Sequence, residues 1–239
     1  MSVYRLYIDD IPTKSLTNHC IVLDLDETLV HTYDNDRDKE LDVFMGLGIF
    51  QNPQLMDLRN RSYRIVLDDI LTDRGTGYKI ELMGIMRPHL KEFLIFCFSY
   101  FKVVAVWSAG LPRYVEMIVD HIFKDVRPPH VIYCRDKCEQ VGRSMPKPII
   151  KMINEEDGLS EYMPLNETFI LDDRDSAFAS VNPGNGILIP GYEPDPTINS
   201  LRKDDIYLQM LMVWLMEKEV MECKDIRLLD KRHIFDKKY

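Results

Sequence analysis

Asp24 and Asp26, with Thr28 two residues on, stand at the end of a short apolar run, Cys20 to Leu23. Alternation along an extended or tightly turned segment points both carboxylates the same way. Carboxylates so close raise each other's proton affinity unless a cation sits between them. A buried strand gains no stability by ending like this. The pair therefore reads as the seat of a divalent metal and a nucleophile, against the plainer alternative of a loop with two solvated acids. A carboxylate held against a metal can attack phosphorus and form an aspartyl-phosphate. Asp24 ends the run directly and is the better nucleophile. Asp26 would give a proton to the leaving oxygen and later take one from water.

Two further apolar runs end in reactive residues. Phe101–Trp107 leads into Ser108, Ala109 and Gly110, and Thr168–Leu171 leads into Asp172, Asp173, Arg174 and Asp175. Acids from two strand ends form an oxygen-only set, which suits Mg²⁺. Transferred phosphoryl oxygens also need donors other than metal. Ser108 offers a hydroxyl and nearby backbone N–H groups at a strand-to-helix turn, and Lys147 offers a positive charge that would keep the acids ionised. Lys151 competes with Lys147 on position alone. His130, Cys134 and Cys138 permit a separate zinc reading, weakened because no fourth ligand is evident.

The elements that must position these groups follow from periodicity. Ser62–Leu67 and Tyr78–Met83 read as strands of a hairpin, joined through 68–77 with its Arg-Gly-Thr-Gly end. The region of about 41–85 shows no helical crossover of its own and reads as an inserted antiparallel sheet. Pro88 suits the first position of a helix that buries Leu90, Phe93, Leu94 and Cys97. Pro112 opens another, with Val115, Ile118, Val119 and Ile122 on one side. Short strands are expected at 131–133 and 186–189, with a short helix over 149–153. Residues 1–18 read as an edge strand or arm, 33–40 as a solvated charged loop, 190–203 as an extended surface loop, and 205–221 as one final helix whose methionines pack in the core. Alternating strands and helices imply a parallel sheet covered on both faces, with ligands bound beyond the carboxyl ends of its strands.

The 239 residues are 46% hydrophobic, enough for a single domain over 1–239 carrying the insertion at about 41–85. Thirty basic residues against 39 acidic leave a net charge of −9, which disfavours direct nucleic-acid binding. No apolar run is long enough to span a bilayer, so no membrane partner is expected. Five cysteines, an odd number and mostly in apolar stretches, suit reduced thiols and an intracellular setting, cytoplasmic or nuclear. Lys231-Arg-His233 and Lys237-Lys238 form a weak basic cluster, read as a solvated tail in preference to a nuclear signal.

Taken in order, the motifs resemble the haloacid dehalogenase superfamily, and within it the FCP/SCP-like (NIF-like) C-terminal-domain phosphatases. Asp24-Leu-Asp26-Glu-Thr28-Leu-Val-His31 is similar to the first motif, and Met86–Leu94 resembles an Arg-Pro-Gly-x-x-x-Phe-Leu helix start. Trp107-Ser108-Ala109-Gly110, with Tyr114, resembles the second motif. Tyr133-Cys134-Arg135-Asp136-x-Cys138, Lys147-Pro148-x-x-Lys151 and Ile170–Arg174 resemble the remainder. The resemblance covers about residues 19–217. It implies a three-layer α/β fold with a small antiparallel β insertion, and a Mg²⁺-dependent Ser/Thr phosphoprotein phosphatase whose usual target is the phosphoserine of the RNA polymerase II tail repeat. It makes Asp24 the nucleophile, Asp26 the acid/base and a main-chain metal ligand, and Lys147 the phosphate-holding lysine. Arg135 joins Ser108, Ala109 and Lys147 in substrate binding, Thr28 braces the loop, and Asp173, with Asp172 beside it, completes the metal set. Residues 155–165 are extra relative to the family pattern. A binding protein that has lost turnover and a small-molecule phosphatase are the alternatives.

Overall fold

Cys20, Ile21, Val22 and Leu23 are all fully buried; in a computed structural model of the chain they form the second strand and the middle of the main sheet. The structure describes residues 5–6, 11–12, 14–33, 39–72 and 75–236. In chain order the elements are β1 (Arg5–Leu6), β2 (Cys20–Leu23), β3 (Val30–Tyr33), α1 (Glu40–Gly46), α2 (Met56–Arg59), β4 (Ser62–Thr72) and β5 (Gly75–Met86). Next come α3 (Leu90–Tyr100), β6 (Val103–Trp107), α4 (Pro112–Ile122), β7 (Val131–Tyr133), α5 (Ile149–Glu155) and β8 (Thr168–Asp172). The chain finishes with β9 (Gly186–Leu188), α6 (Ile198–Leu201), α7 (Tyr207–Leu215) and α8 (Lys218–Met221).

The six-stranded sheet has the order β1-β7-β6-β2-β8-β9. Its last five strands run parallel, and β1 closes the edge antiparallel to β7. Strand parity divides the core in two. Ile21 and Leu23 of β2 pack with α3, α4 and α7, whereas Cys20 and Val22 pack with α5 and with Leu159 and Met163. Helices thus cover both faces, the three-layer α/β arrangement expected of a parallel sheet. Burying each such side chain contributes about 1.5–3 kcal/mol, which fixes the register of β2 between β6 and β8. The additional segment near 155–165 becomes part of this core through Leu159 and Met163.

A second sheet, β3-β5-β4, is antiparallel throughout. It is larger than a hairpin. Strands β4 and β5 extend to Thr72 and Gly75, with register shifts after Leu67 and Ile70, and β3 adds a third strand along β5. The insertion is antiparallel with no helical crossover between its strands, and it also carries two short helices of its own. Leu41 and Phe44 of α1 and Leu58 of α2 pack with Tyr33, Met83 and Ile85 into a separate small core, so the sheet buries one face under its own helices. Within the expected charged loop, Glu40 starts α1 and residues 34–38 lie outside the described residues.

Three other expectations need correction. Helix α3 begins at Leu90, not at Pro88. His89 is its cap, in left-handed backbone with φ of 63°, and Pro88 lies in the preceding turn. That conformation costs a residue with a Cβ about 1 kcal/mol more than glycine, which accounts for the glycine at this place in the family pattern. The 190–203 stretch is not all extended. Thr197 caps α6 through its hydroxyl, which accepts from the Ser200 N–H, and Tyr192 and Leu201 join the small core. The final helix is divided into α7 and α8, separated at Met216–Glu217. Of its methionines, Met210 is buried and Met216 is exposed.

Candidate active site

Register delivers the acids to one place. Leu23 pairs with Leu171 on one side and with Val106 on the other, so the next residues, Asp24, Asp172 and Trp107, end their strands together, with Ser108 just beyond. The Asp24 N–H donates to the Leu171 carbonyl at 3.0 Å, continuing the ladder by one residue. After Asp26 the chain reverses sharply. Leu29 and Val30 N–H groups both donate to the Leu25 carbonyl, and Glu27 takes a φ of 60°. This strained conformation is held by a buried hydrogen bond of 2.6 Å between Glu27 Oε2 and His31 Nδ1.

Lys147 is 3% exposed and lies between two of the acids. Its Nζ donates to Asp24 Oδ1 at 2.5 Å and to Asp172 Oδ2 at 2.7 Å. Burial lowers its proton affinity, but Asp24 and Asp172 more than reverse this and hold the ammonium charged. The rival is elsewhere: Lys151 Nζ donates to the Lys137 carbonyl at 2.8 Å. Of the two lysines, Lys147 is therefore the one seated among the acids.

One lysine does not balance the site. Carboxylate oxygens of Asp24, Asp172 and Asp173 all lie within 4.8 Å of one another. Burial pushes Asp24 up to about 8 against the pull of Lys147, with Asp172 and Asp26 adding to the rise. Burial, then Asp172, pushes Asp173 up to about 6. Burial also raises Asp26, while the Tyr114 hydroxyl opposes that rise. A surplus of negative charge on clustered hard oxygen donors fits a divalent cation such as Mg²⁺. Among the described residues, this is the one group of three such side chains that could share an ion. His130, Cys134 and Cys138 do not form such a group: Cys138 Sγ accepts from the Trp107 indole N–H at 3.2 Å, and His130 Nδ1 from the Val104 N–H at 3.0 Å.

The acids line a cleft of about 590 Å³ that also exposes Ala109, Arg135 and Lys147. Ser108 and Thr28 are fully buried behind it. The Ser108 hydroxyl accepts from the Gly110 N–H at 2.9 Å and faces Asp26 Oδ2 at 3.4 Å. Thr28 Oγ1 accepts from the Asp173 N–H at 3.1 Å and faces its carboxylate at 3.4 Å. Both hydroxyls thus position acids.

Sequence reasoning named Tyr114 without giving it a role. Its hydroxyl donates to Asp26 Oδ1 and so accepts from Thr32 Oγ1 at 2.6 Å, which in turn meets Tyr63 Oη at 2.6 Å. This chain of hydroxyls leads from β4 through β3 and α4 to the candidate acid/base. Arg87 is another residue assigned no role. Fully buried, it grips both oxygens of Asp205 at 2.9 and 3.0 Å and donates to the Thr28 and Pro190 carbonyls. Arg143, Arg174 and Leu82 also line the cleft; their distance in sequence from the acids left no signal for the first and third.

The α/β sheet thus gathers a buried lysine among aspartates at its strand ends. Residues 19–227 match the model of the NLI interacting factor-like phosphatase family, and the chain belongs to that family. Among curated proteins no match is found. Of solved structures, Fcp1, an essential RNA polymerase II CTD phosphatase, is similar at a TM-score of 0.53 and 18% identity, over 73% of this chain and 42% of that one. A variant of fission yeast RNA polymerase II CTD phosphatase Fcp1 bound to beryllium fluoride is similar at 0.56 and 17%, over 84% and 51%. This chain thus spans about half the length of those proteins, and at such identity the likeness establishes the shared fold.

Proposed function

We propose that this protein is a Mg²⁺-dependent phosphoprotein phosphatase that hydrolyses serine and threonine phosphates through an aspartyl-phosphate on Asp24. The observation that carries the reading is Lys147 held between Asp24 and Asp172 at the mouth of the sheet, with Asp26 and Asp173 on the same cleft. Asp24, Asp172 and Asp173 would hold the cation, with the main chain of Asp26 adjoining, and the bound ion would offset the repulsion between carboxylate and phosphate. Asp24 attacks phosphorus, and the bond to the seryl oxygen breaks as Asp26 hands that oxygen its proton. Asp26 then takes a proton from water, the water oxygen bonds to phosphorus, and the Asp24–phosphorus bond breaks to release phosphate. Lys147 neutralises the equatorial oxygens through both steps. Arg135, exposed on the rim, and the N–H groups around Ala109 would meet the phosphate and its peptide.

The likeness to the two Fcp1 structures, both of RNA polymerase II CTD phosphatases, makes a phosphoserine peptide from the polymerase tail the first substrate to test, against unrelated phosphopeptides. The five thiols, all free, favour a reducing compartment, so an intracellular setting belongs to the same proposal. Asp24→Asn should abolish Mg²⁺-dependent release of phosphate from an array of phosphopeptides and from p-nitrophenyl phosphate, and Asp26→Asn should slow both chemical steps. Turnover undiminished in Asp24→Asn would sink the mechanism.

A further inference from the structure

The catalytic cleft carries five acids, Asp24, Asp26, Glu27, Asp172 and Asp173, against four basic side chains. A separate groove of about 630 Å³ has the opposite balance, with five Lys or Arg side chains against Glu92 and Asp125. On a chain of net charge −9, such a reversal is local and concentrated. Its walls come from three elements: the α2–β4 junction (Arg59, Arg61), the start of α3 (His89, Lys91) and the end of α4 (His121, Lys124).

Some of these charges are committed. Arg87 is neutralised by Asp205, and Arg61 spends its donors on Met86, Leu201 and Tyr192. Others are not. Lys91 meets Asp125 only at 3.8 Å with both side chains well exposed, a geometry worth little in water. Arg59 NH1 reaches a carbonyl only at 3.4 Å. His121 has Asp125 as a charged neighbour, and among the described residues no carboxylate forms an ion pair with Arg59 or Lys124.

We infer that this groove docks a second anionic group, a phosphorylated or clustered acidic side chain, of the same polypeptide whose phosphoserine enters the catalytic cleft. The inference rests on the phosphoprotein reading above. Helix α4 relates the two places: Tyr114 near its start lines the cleft, and His121 and Ile122 at its end line the groove. Eight positions separate Tyr114 from Ile122 within this helix, roughly 12 Å at 1.5 Å per residue. An extended peptide advances about 3.3 Å per residue, so the second anion must lie at least about four residues from the scissile phosphoserine. Closer anions cannot reach both.

The test uses the full chain and three peptides: one phosphoserine alone, a second phosphoserine six residues away on either side, and a second one two residues away. The wild type should show a KM about tenfold lower for the six-residue spacing than for the other two, an advantage that shrinks with salt. The double variant Lys91→Glu/Lys124→Glu should lose that advantage, with p-nitrophenyl phosphate turnover unchanged. Lys218→Glu, a charge reversal elsewhere on the surface, should keep it. Equal KM values for the three peptides in the wild type, or an advantage that survives the double variant, overturns the docking groove. Absence of turnover on every substrate would instead defeat the catalytic reading. In that event fluorescence anisotropy of a peptide whose scissile serine is alanine, carrying the distal phosphoserine, still decides: binding abolished by Lys91→Glu/Lys124→Glu supports the groove, and no binding to the wild type overturns it.

Discussion

The two sheets of this protein handle charge in different ways. At the carboxyl end of the parallel sheet, Lys147, Asp24 and Asp172 are ionic, buried and in direct contact. Among the described residues the antiparallel sheet reaches Asp26 through hydroxyls, Tyr63, Thr32 and then Tyr114, and Glu27 through the His31 ring. The parallel sheet can bear the charge because its strands are clamped on both faces, so the geometry around Lys147 is fixed before any substrate arrives. The smaller sheet, with a core of its own, lends Thr32 and Leu82 to the cleft wall and, in the proposed mechanism, would adjust Asp26. Chemistry would then sit on the rigid layer and modulation on the added one.

Removing the ionic centre should have the largest effect. Lys147→Met leaves Asp24 and Asp172 buried without their partner. It should reduce turnover of every phosphomonoester at least about a hundredfold and destabilise the protein by roughly 3–5 kcal/mol, read by steady-state kinetics and thermal melting. If phosphopeptide and aryl phosphate were affected unequally, the division between the two sheets would be wrong.

Tyr114→Phe should do less, and selectively. A hydrogen bond to a charged group is worth about 1.5–3 kcal/mol, so turnover of a serine phosphate, whose leaving oxygen needs the proton held by Asp26, should fall about 10- to 100-fold. p-Nitrophenyl phosphate, whose leaving group departs without a proton, should be nearly unaffected. A loss of equal size on both substrates would make Tyr114 a packing residue.

Smallest is a change beneath the parallel sheet that leaves chemistry alone. Glu156 is buried, accepts a hydrogen bond from the Tyr133 hydroxyl, and is pushed up to about 7 by burial and by Asp157. The folded state therefore holds this proton more tightly than the unfolded chain, whose glutamate titrates near 4.5. Its stabilising contribution is complete below about 4.5 and is lost as pH rises towards 7. Glu156→Gln should melt higher than the wild type at pH 8, by on the order of 1 kcal/mol, and alike at pH 4.5.

Much of the site could be read from the chain because strand ends concentrate it. An apolar run that stops at acids marks both its element and its chemistry, and Asp24, Asp172 and their neighbours needed no tertiary knowledge. Lys147 and Lys151 are four residues apart in a row and are distinct only in the fold, where Lys147, ahead of α5, meets the acids and Lys151, within α5, meets the Lys137 carbonyl. Helix α1 left little trace because it starts from Lys39, in left-handed backbone and without a capping side chain, and shows a single apolar turn. The start of α3 was misread because proline at a first helical position is a sound rule that gave way here to His89. Thr197 was a legible cap, passed over amid the prolines around it. Tyr114, Thr32 and Tyr63 come from three separate elements, and no spacing announces their alignment.

Arg87 has a consequence for the order in which the molecule comes to life. Its guanidinium is the clasp between the loop that carries Asp26 and Thr28 and the segment that carries Pro190 and Asp205, and its acidic partner lies 118 positions further along the chain. On the ribosome, synthesis at about 5–20 residues per second delivers Arg87 well before Asp205. For those seconds the catalytic loop has its own residues and lacks its fastening. The nascent protein acquires the clustered acids by Asp173, yet the clasp closes only after Asp205 has emerged, so the loop of Asp26 and Thr28 is among the last parts of the growing chain to be fastened.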